Sequence, residues 1–398
     1  MPTPTRLRWF ERAPSARTPS AESIVSDRSR LRVGIPRVLN LWSTHQFWIG
    51  FLGALGIEAR RIEFSSDSSE DQAREFGKGR GTVDCCYPVK CVSGHYGELL
   101  ARDRHHKIDV LLSPMITSLP SYLKGHVVDS LACPRVMAAP ENIKAGFLKE
   151  TDVFADHGVR YASPMASLAD APLVPKQLYE GLRDVIPGLT LQETRKATDE
   201  GFKALERYAS GLRAKARQVL QECATHDAPA LLVLARPYHM DPGIGHEIEV
   251  DLQAYGYPVL WTQYLPTDPE LLGWMFGPDI EQGHIKDPFD IADVWPSSYS
   301  ANTNEILWAT KFAARMPWIV CVVRLSSYEC GMDQPTYTPV QRMVESSGTL
   351  FFSFQDLDST KPAGSVKIRV ETIAHYLKKY SADIIAKKKA ASPPGCPL

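Results

Sequence analysis

Hydrophobic and polar positions change their period along this chain, and the changes divide it into parts. From Leu31, LRVGIPRVLNLW is a short β-rich run closed by Gly34 and Pro36. FWIGFLGALG then repeats its apolar positions at helical spacing, Gly56 stands where a helix C-cap glycine belongs, and IEARRIEF predicts the next strand. This is a βαβ opening. Further on, VSGHYGELLARD predicts a helix, IDVLLSP a strand ending at Pro114, and LACPRVMAAP continues the alternation, giving one α/β domain over residues 31–163. Over residues 164–225 the pattern turns mainly helical, with Phe202, Leu205, Tyr208, Leu212 and Leu220 on one face.

A second α/β domain is predicted over residues 226–385. PALLVLARPYHMDPG begins as an apolar strand and ends in a polar turn, GHEIEVDLQAYG reads as a helix and YPVLWTQYLP as a strand. After a long loop come the helix ANTNEILWATKFAAR, the strands PWIVCVVRL and TLFFSFQDLD, and the closing helix VKIRVETIAHYLKKY. The fold class is α/β: two doubly wound Rossmann-like domains facing an interdomain cleft, with a helical linker region bracing them. No repeat of short period is visible. Residues 1–30 and 386–398 read as disordered arms, which leaves Cys396 idle.

Composition narrows the class. The chain has 398 residues, a net charge of -1 and 44% hydrophobic residues, enough for two cores. A near-neutral charge argues against a general nucleic-acid binder, and no apolar run approaches the ~18 residues of a membrane span. The first residues lack the apolar segment of a secretory signal, and their early acidic residues favour a disordered arm over a transit peptide. Eight cysteines without such a signal point to metal or redox chemistry in a reducing, cytoplasmic compartment.

The cysteines are clustered. GTVDCCYPVKCVSGH, residues 81–95, holds Cys85, Cys86 and Cys91 around a Tyr-Pro turn, with Lys90 and His95 nearby. Pro88 is expected to hold that turn open, and Lys90 to supply the positive charge a thiolate needs. Cys133 precedes Pro134 and Cys330 precedes Gly331, so both are expected in open loops at strand ends, where open α/β sheets bind ligands. Convergence of these loops would make a thiolate nest of the kind that holds iron–sulfur clusters; the competing reading is buried free cysteines. A compact CxxC…CxxC zinc signature is absent, Cys321 sits within an apolar strand, and Cys223 reads as packing. In ARPYHMDPG, Arg236 can bind an anion or offset cluster charge, and Tyr238, His239 and Asp241 can exchange protons; equally, Asp241 can cap the next helix and Arg236 can make an ordinary ion pair. There is no P-loop, no GxGxxG and no GxSxG elbow.

These stretches together resemble a known family. VGIPRVLNLW, CCYPVKCVSGHYGELL, LARPYHMDPG and ECGMD are similar, in this order, to the conserved blocks of the CoA-enzyme activase-associated domain, from about Val33 to Leu377. The wider group includes 2-hydroxyacyl-CoA dehydratases, benzoyl-CoA reductases and double-cubane cluster proteins. The resemblance implies low-potential electron transfer through a cysteine-bound iron–sulfur cluster, 4Fe-4S or double-cubane 8Fe-9S. Its ligands would be Cys86, Cys133 and Cys330, with Cys85 and Cys91 as candidates for additional ones. It implies a separate ATP-hydrolysing activator, a small-molecule or CoA-thioester substrate, and a homodimer or paralogous subunit. Ala235, His239 and Met332 depart from the family's usual residues, which bears on the substrate more than on the cluster. A dehydratase subunit and a non-catalytic scaffold for an activase are the alternatives to a reductase.

Overall fold

Short, apolar strands buried on both faces suit parallel pairing, because the helices that connect them cover the sheet. The computed structural model describes residues 28–81, 85–358 and 363–398. In the first half, β1 (Val33–Ile35), β2 (Ile62–Phe64) and β3 (Val110–Leu112) are followed by β4 (Met115–Ser118), β5 (Arg160–Ala162) and β6 (Met165–Ser167). One four-stranded sheet has the order β2-β1-β3-β5 with every pair parallel, and β4 and β6 form a separate parallel ribbon. In the second half, β7 (Ala230–Leu234), β8 (Val259–Trp261), β9 (Ile319–Ser327) and β10 (Leu350–Leu357) form a parallel sheet of order β10-β9-β7-β8.

Counted from the first strand of each sheet, both run second, first, third, fourth. The two halves thus repeat one topology, although no short-period repeat shows in the sequence. Strand order reverses between β1 and β3 in one sheet and between β7 and β9 in the other. A crevice opens beyond the carboxyl ends of the strands at such a reversal.

A helix of 36 residues, Leu191–His226, lies between the halves in sequence, starting from a Thr190–Glu193 capping box. It packs on the helix Leu41–Ala54, and the approach is close because Gly201 has no side chain: a Cβ there would lie 2.9 Å from the Phe47 ring. Leu131 joins the halves directly, since its N–H donates to Tyr299 O (2.8 Å) and its carbonyl accepts from Ala301 N (2.9 Å).

Three local expectations are corrected. Pro88 does not hold a turn open; it sits at the start of the helix Tyr87–Leu100, where the missing N–H costs nothing. LACPRVMAAP does not continue the strand alternation, because Pro134 begins the helix Pro134–Phe147. The tail expected to be disordered from residue 386 is ordered: the last helix runs Ala363–Ala391, and Pro393 O then accepts from Trp274 Nε1 at 3.0 Å. A lysine run reads as solvated, yet the Lys388 ammonium is buried and donates to Ala313 O (2.6 Å), Ile319 O (2.8 Å) and Thr349 Oγ1 (3.0 Å). At the other end, residues 1–27 of the expected arm lie outside the described residues, while Arg28 is buried and paired with Glu193 at 2.7 Å.

Candidate functional site

The end of β7 delivers Arg236 into the protein. The preceding turn is fixed by Gln263, whose Nε2 donates to Ala235 O at 2.7 Å. Arg236 is only 1% exposed; its Nε and one terminal nitrogen donate to Asp333 Oδ1 at 3.1 and 3.0 Å, and the latter also reaches Thr303 Oγ1 at 3.4 Å. Asp333 follows the end of β9. Its other oxygen accepts from Ser326 Oγ at 2.8 Å, and Arg324 approaches Oδ1 at 3.4 Å. Burial opposes the charge on Asp333, but the two guanidinium groups outweigh it and hold the carboxyl well below the usual carboxylate range. Two guanidinium groups against one carboxylate leave this buried cluster one positive charge in excess. Among the described residues, NH1 of Arg236 has no hydrogen-bond partner, nor do Nε and NH1 of Arg324.

Cysteines lie close to this cationic cluster. Cys86 and Cys133 are the N-cap residues of the helices Tyr87–Leu100 and Pro134–Phe147, and neither side chain is used as a cap. Cys330 lies in the turn after β9, its N–H donating to Ser327 O at 3.2 Å. Burial pushes the Cys86 thiol up to about 12, and the charges of Cys330, Cys133 and Cys85 push in the same direction. Cys330 is raised by burial and then by Asp333, against a lowering by Arg236. Cys86 is therefore within electrostatic reach of Cys330, Cys133 and Cys85, and Arg236 is within reach of Cys330 and Cys133. Buried thiolates that repel each other need a cation or a metal to persist. Two helix N-termini and an excess guanidinium charge favour anions here.

The remaining predicted residues divide. Tyr238 is buried and its hydroxyl is pushed well above 10, chiefly by burial, with Cys330 and Cys86 among the groups acting on it. Burial lowers His239 to about 4; its ring nitrogens face Arg236 O at 3.2 Å and Ser327 Oγ at 3.1 Å, so it braces the two loops that carry Arg236 and Cys330. Cys85 is buried beside Cys86. Cys91 lies one turn into its helix and is pushed up to about 12 by burial; Tyr87 and Ser68 hydrogen-bond to it. Lys90, expected to face the thiolates, is instead 47% exposed and stands 4.0 Å from Glu329.

His95, expected near a cofactor, is part of a chain of hydrogen bonds joining the halves. Arg37 N–H donates to Ser65 Oγ (2.7 Å), which lies 2.7 Å from His95 Nδ1; Nε2 lies 2.9 Å from Ser68 Oγ, which donates to Asp241 Oδ2 at 2.8 Å. Burial lowers His95 to about 4, so the neutral ring fits this chain, accepting at Nδ1 and donating from Nε2. Asp241 also caps the short turn after it through Gly243 N at 2.9 Å. Asp241 thus makes the cap expected of it and also bonds Ser68 across the two halves.

Asp333, Arg324, Ser68 and Thr303 were missing from the residues singled out in the sequence. ECGMD contains Asp333, and an arginine within the apolar run WIVCVVRL was a detectable signal, since a charge in a buried strand needs a partner. Nothing in the sequence linked Ser68 to Asp241.

The model of the family described as the CoA enzyme activase uncharacterised domain matches residues 32–265. The chain belongs to this family. The matched stretch contains Cys86, Cys133, Arg236 and Asp241 and ends before Cys330 and Asp333. No curated protein matches the chain. Among the described residues, no three Cys, His, Asp or Glu side chains gather closely enough to hold a single metal ion, and no helix is long and apolar enough to cross a membrane.

Proposed function

We propose that this protein, a member of the family described as the CoA enzyme activase uncharacterised domain, is an iron–sulfur protein. In this reading it passes low-potential electrons, received from a separate ATP-hydrolysing activator, to a bound substrate. Cys86, Cys133 and Cys330 serve as thiolate ligands, with Cys85 or Cys91 available to a larger cluster. The observation that carries the reading is that Cys86 faces Cys133 and Cys330, from separate loops of both halves, and that Cys133 and Cys330 in turn face Arg236, whose buried NH1 has no partner among the described residues. A cluster spreads its thiolates over several irons, so it does not require them to gather around one ion. The donor set fits: soft sulfur ligands, a compensating buried cation and two helix N-termini.

When bound, a 4Fe-4S or 8Fe-9S cluster supplies electrons one at a time at low potential. The chain's own residues do the rest. Arg236, anchored on Asp333, offsets negative charge at the thiolates and hydrogen-bonds through NH1. Tyr238 and the buried walls keep water away, and His239 holds the Arg236 and Cys330 loops in register. A largely apolar cavity of about 420 Å³, lined by Trp295, Tyr299, Thr303, Gly331 and Met332, lies next to Cys330. Its lining suits the acyl end of a CoA thioester and favours the second reading, a CoA-thioester dehydratase subunit, within the same site.

Anaerobic purification with iron and sulfide quantification tests the reading. Several irons per chain, lost in Cys86→Ser, Cys133→Ser and Cys330→Ser but kept in Cys223→Ser and Cys396→Ser, are expected. An iron-free protein that cannot be reconstituted with iron and sulfide would leave the scaffold reading in its place. A spectral change on adding a CoA ester separates the dehydratase from the electron carrier.

A further inference from the structure

Four helices of the second half, Pro269–Glu281, Ala301–Arg315, Tyr337–Ser346 and Ala363–Ala391, together line a groove of about 680 Å³. That lies within the roughly 300–1,000 Å³ of small-molecule sites. The groove shares no lining residue with the cysteine centre or with the cavity beside Cys330. Lys311, Arg315, Arg342, Lys387 and Lys388 line it, with only Asp279 and Asp293 as carboxylates. Five cations against two carboxylates leave three positive charges in excess when Lys388 is ionised. A cleft lined by one sign of charge gathers counter-ions.

The pairing shows where the excess lies. Asp293 is taken by Lys311 at 2.8 Å and Asp279 by Arg315 at 2.6 Å. The Lys388 ammonium spends its three hydrogens on neutral oxygens of Ala313, Ile319 and Thr349; burial lowers it to about 7, with no carboxylate acting to raise it. Arg342 and Lys387 are exposed and make no ion pair among the described residues. Three cations thus lack a counter-charge. Much of the remaining lining is apolar, with Trp274, Met275, Val294 and Met343 in it, and the Trp274 ring is fixed by its bond to Pro393 O at 3.0 Å. Ser346, Ser347 and Ser392 donate their hydroxyls to the backbone carbonyls of Arg342, Val344 and Lys388, so few free donors remain for a polyol. A multiply charged anion on an apolar body matches both parts of the lining.

We propose that this groove binds an organic phosphate monoester with an apolar or aromatic body, its dianion balanced by Arg342, Lys387 and the buried charge of Lys388. Guanidinium and ammonium groups are the usual partners of phosphate oxygens. A monocarboxylate brings a single negative charge and leaves more of the excess unbalanced. Inorganic phosphate leaves the apolar wall in water. Arg342 and Lys387 stand in solvent, so added salt screens their share and weakens binding. None of the candidate cysteines lines the groove, so binding requires no iron.

Titration calorimetry on the full chain, with and without iron, tests this with AMP, phenyl phosphate and hexyl phosphate. Inorganic phosphate, glycerol 3-phosphate and hexanoate are the controls. At least one of the first three is expected to bind about tenfold more tightly than every control, and the tightest of them identifies the body as a nucleoside, a lone aromatic ring or an alkyl chain. Arg342→Ala and Lys387→Ala combined are expected to weaken it by about tenfold or more. Both side chains are exposed, so the double variant keeps its denaturation midpoint and the loss reads the site rather than the fold. Lys379→Ala, an exposed lysine of the same helix outside the groove, is expected to leave binding unchanged. A control that binds as tightly as all three organic phosphates, unchanged binding in the double variant, an equal loss in Lys379→Ala, or no binding of the three at roughly 10 mM would overturn the proposal. A protein that binds one of them but takes up no iron would retain this site and lose the cluster reading; the reverse result would retain only the cluster.

Discussion

Arg236 and Asp333 lie 97 residues apart in the chain and form a buried ion pair in which Nε and NH2 both point at one carboxylate oxygen, at 3.1 and 3.0 Å. Each residue follows the end of a central strand of the second sheet, so the pair ties together the two loops on either side of the strand-order reversal. It also fixes the orientation of the unpartnered nitrogen of Arg236. The arrangement is asymmetric in charge, because Arg324 leans on the same carboxylate at 3.4 Å.

Asp333→Asn leaves two guanidinium groups without a counter-charge in a fully buried site. A destabilisation of about 3–5 kcal/mol is expected, read as a lower denaturation midpoint. The carboxyl sits well below its ordinary range when folded. Its contribution is present above the unfolded value near ~3.9 and is lost only as pH falls toward the folded value. Asp333→Asn should therefore remove stability at neutral pH; an unchanged midpoint at pH 7 would show that the pair is not coupled to folding.

Gly243→Ala should separate the two halves. A Cβ at Gly243 would lie 1.9 Å from Ser68 O, which is backbone and cannot move aside, whereas a Cβ at Gly331 meets nothing within 4 Å. A cost of ~1–3 kcal/mol or more is expected for the first and little for the second. Faster proteolysis between the halves in Gly243→Ala, compared with Gly331→Ala, checks it.

Two buried histidines make the fold acid-sensitive. Both His95 and His239 are lowered to about 4, while an unfolded histidine titrates near ~6.5. The stability this provides is complete above the unfolded value and is lost as pH falls through the folded one, since the unfolded chain takes up protons first. A decline on the order of 1–3 kcal/mol per histidine is expected from pH 6.5 to pH 4, and His95→Gln should flatten its share. Denaturation midpoints across that range measure it.

Lys90→Ala should leave iron content unchanged and shift stability by no more than about 1 kcal/mol, because the side chain is half exposed and 4.0 Å from Glu329. Loss of iron in this variant would restore the role in thiolate stabilisation expected for Lys90 from its neighbours in sequence.

The sequence by itself determined the alternation of strands and helices, the two α/β halves, the long helix between them and the family. Apolar periodicity and segment length are local properties, and the buried run WIVCVVRL announces a central parallel strand whatever surrounds it. The candidate cysteines were picked out by their neighbours, Cys133 standing next to Pro134, Cys330 next to Gly331 and Cys86 two residues before Pro88. Their exact setting was not: Pro88 and Pro134 could mark an open loop or a helix start, and only packing decided that Cys86 and Cys133 are N-caps. The partners of the charged groups were equally beyond local reading. That Arg236 meets Asp333 and that Ser68 joins His95 to Asp241 both follow from contacts between segments far apart in sequence. Burial then decides their protonation, because the cost of charge depends on what surrounds a group in space and not on its neighbours along the chain.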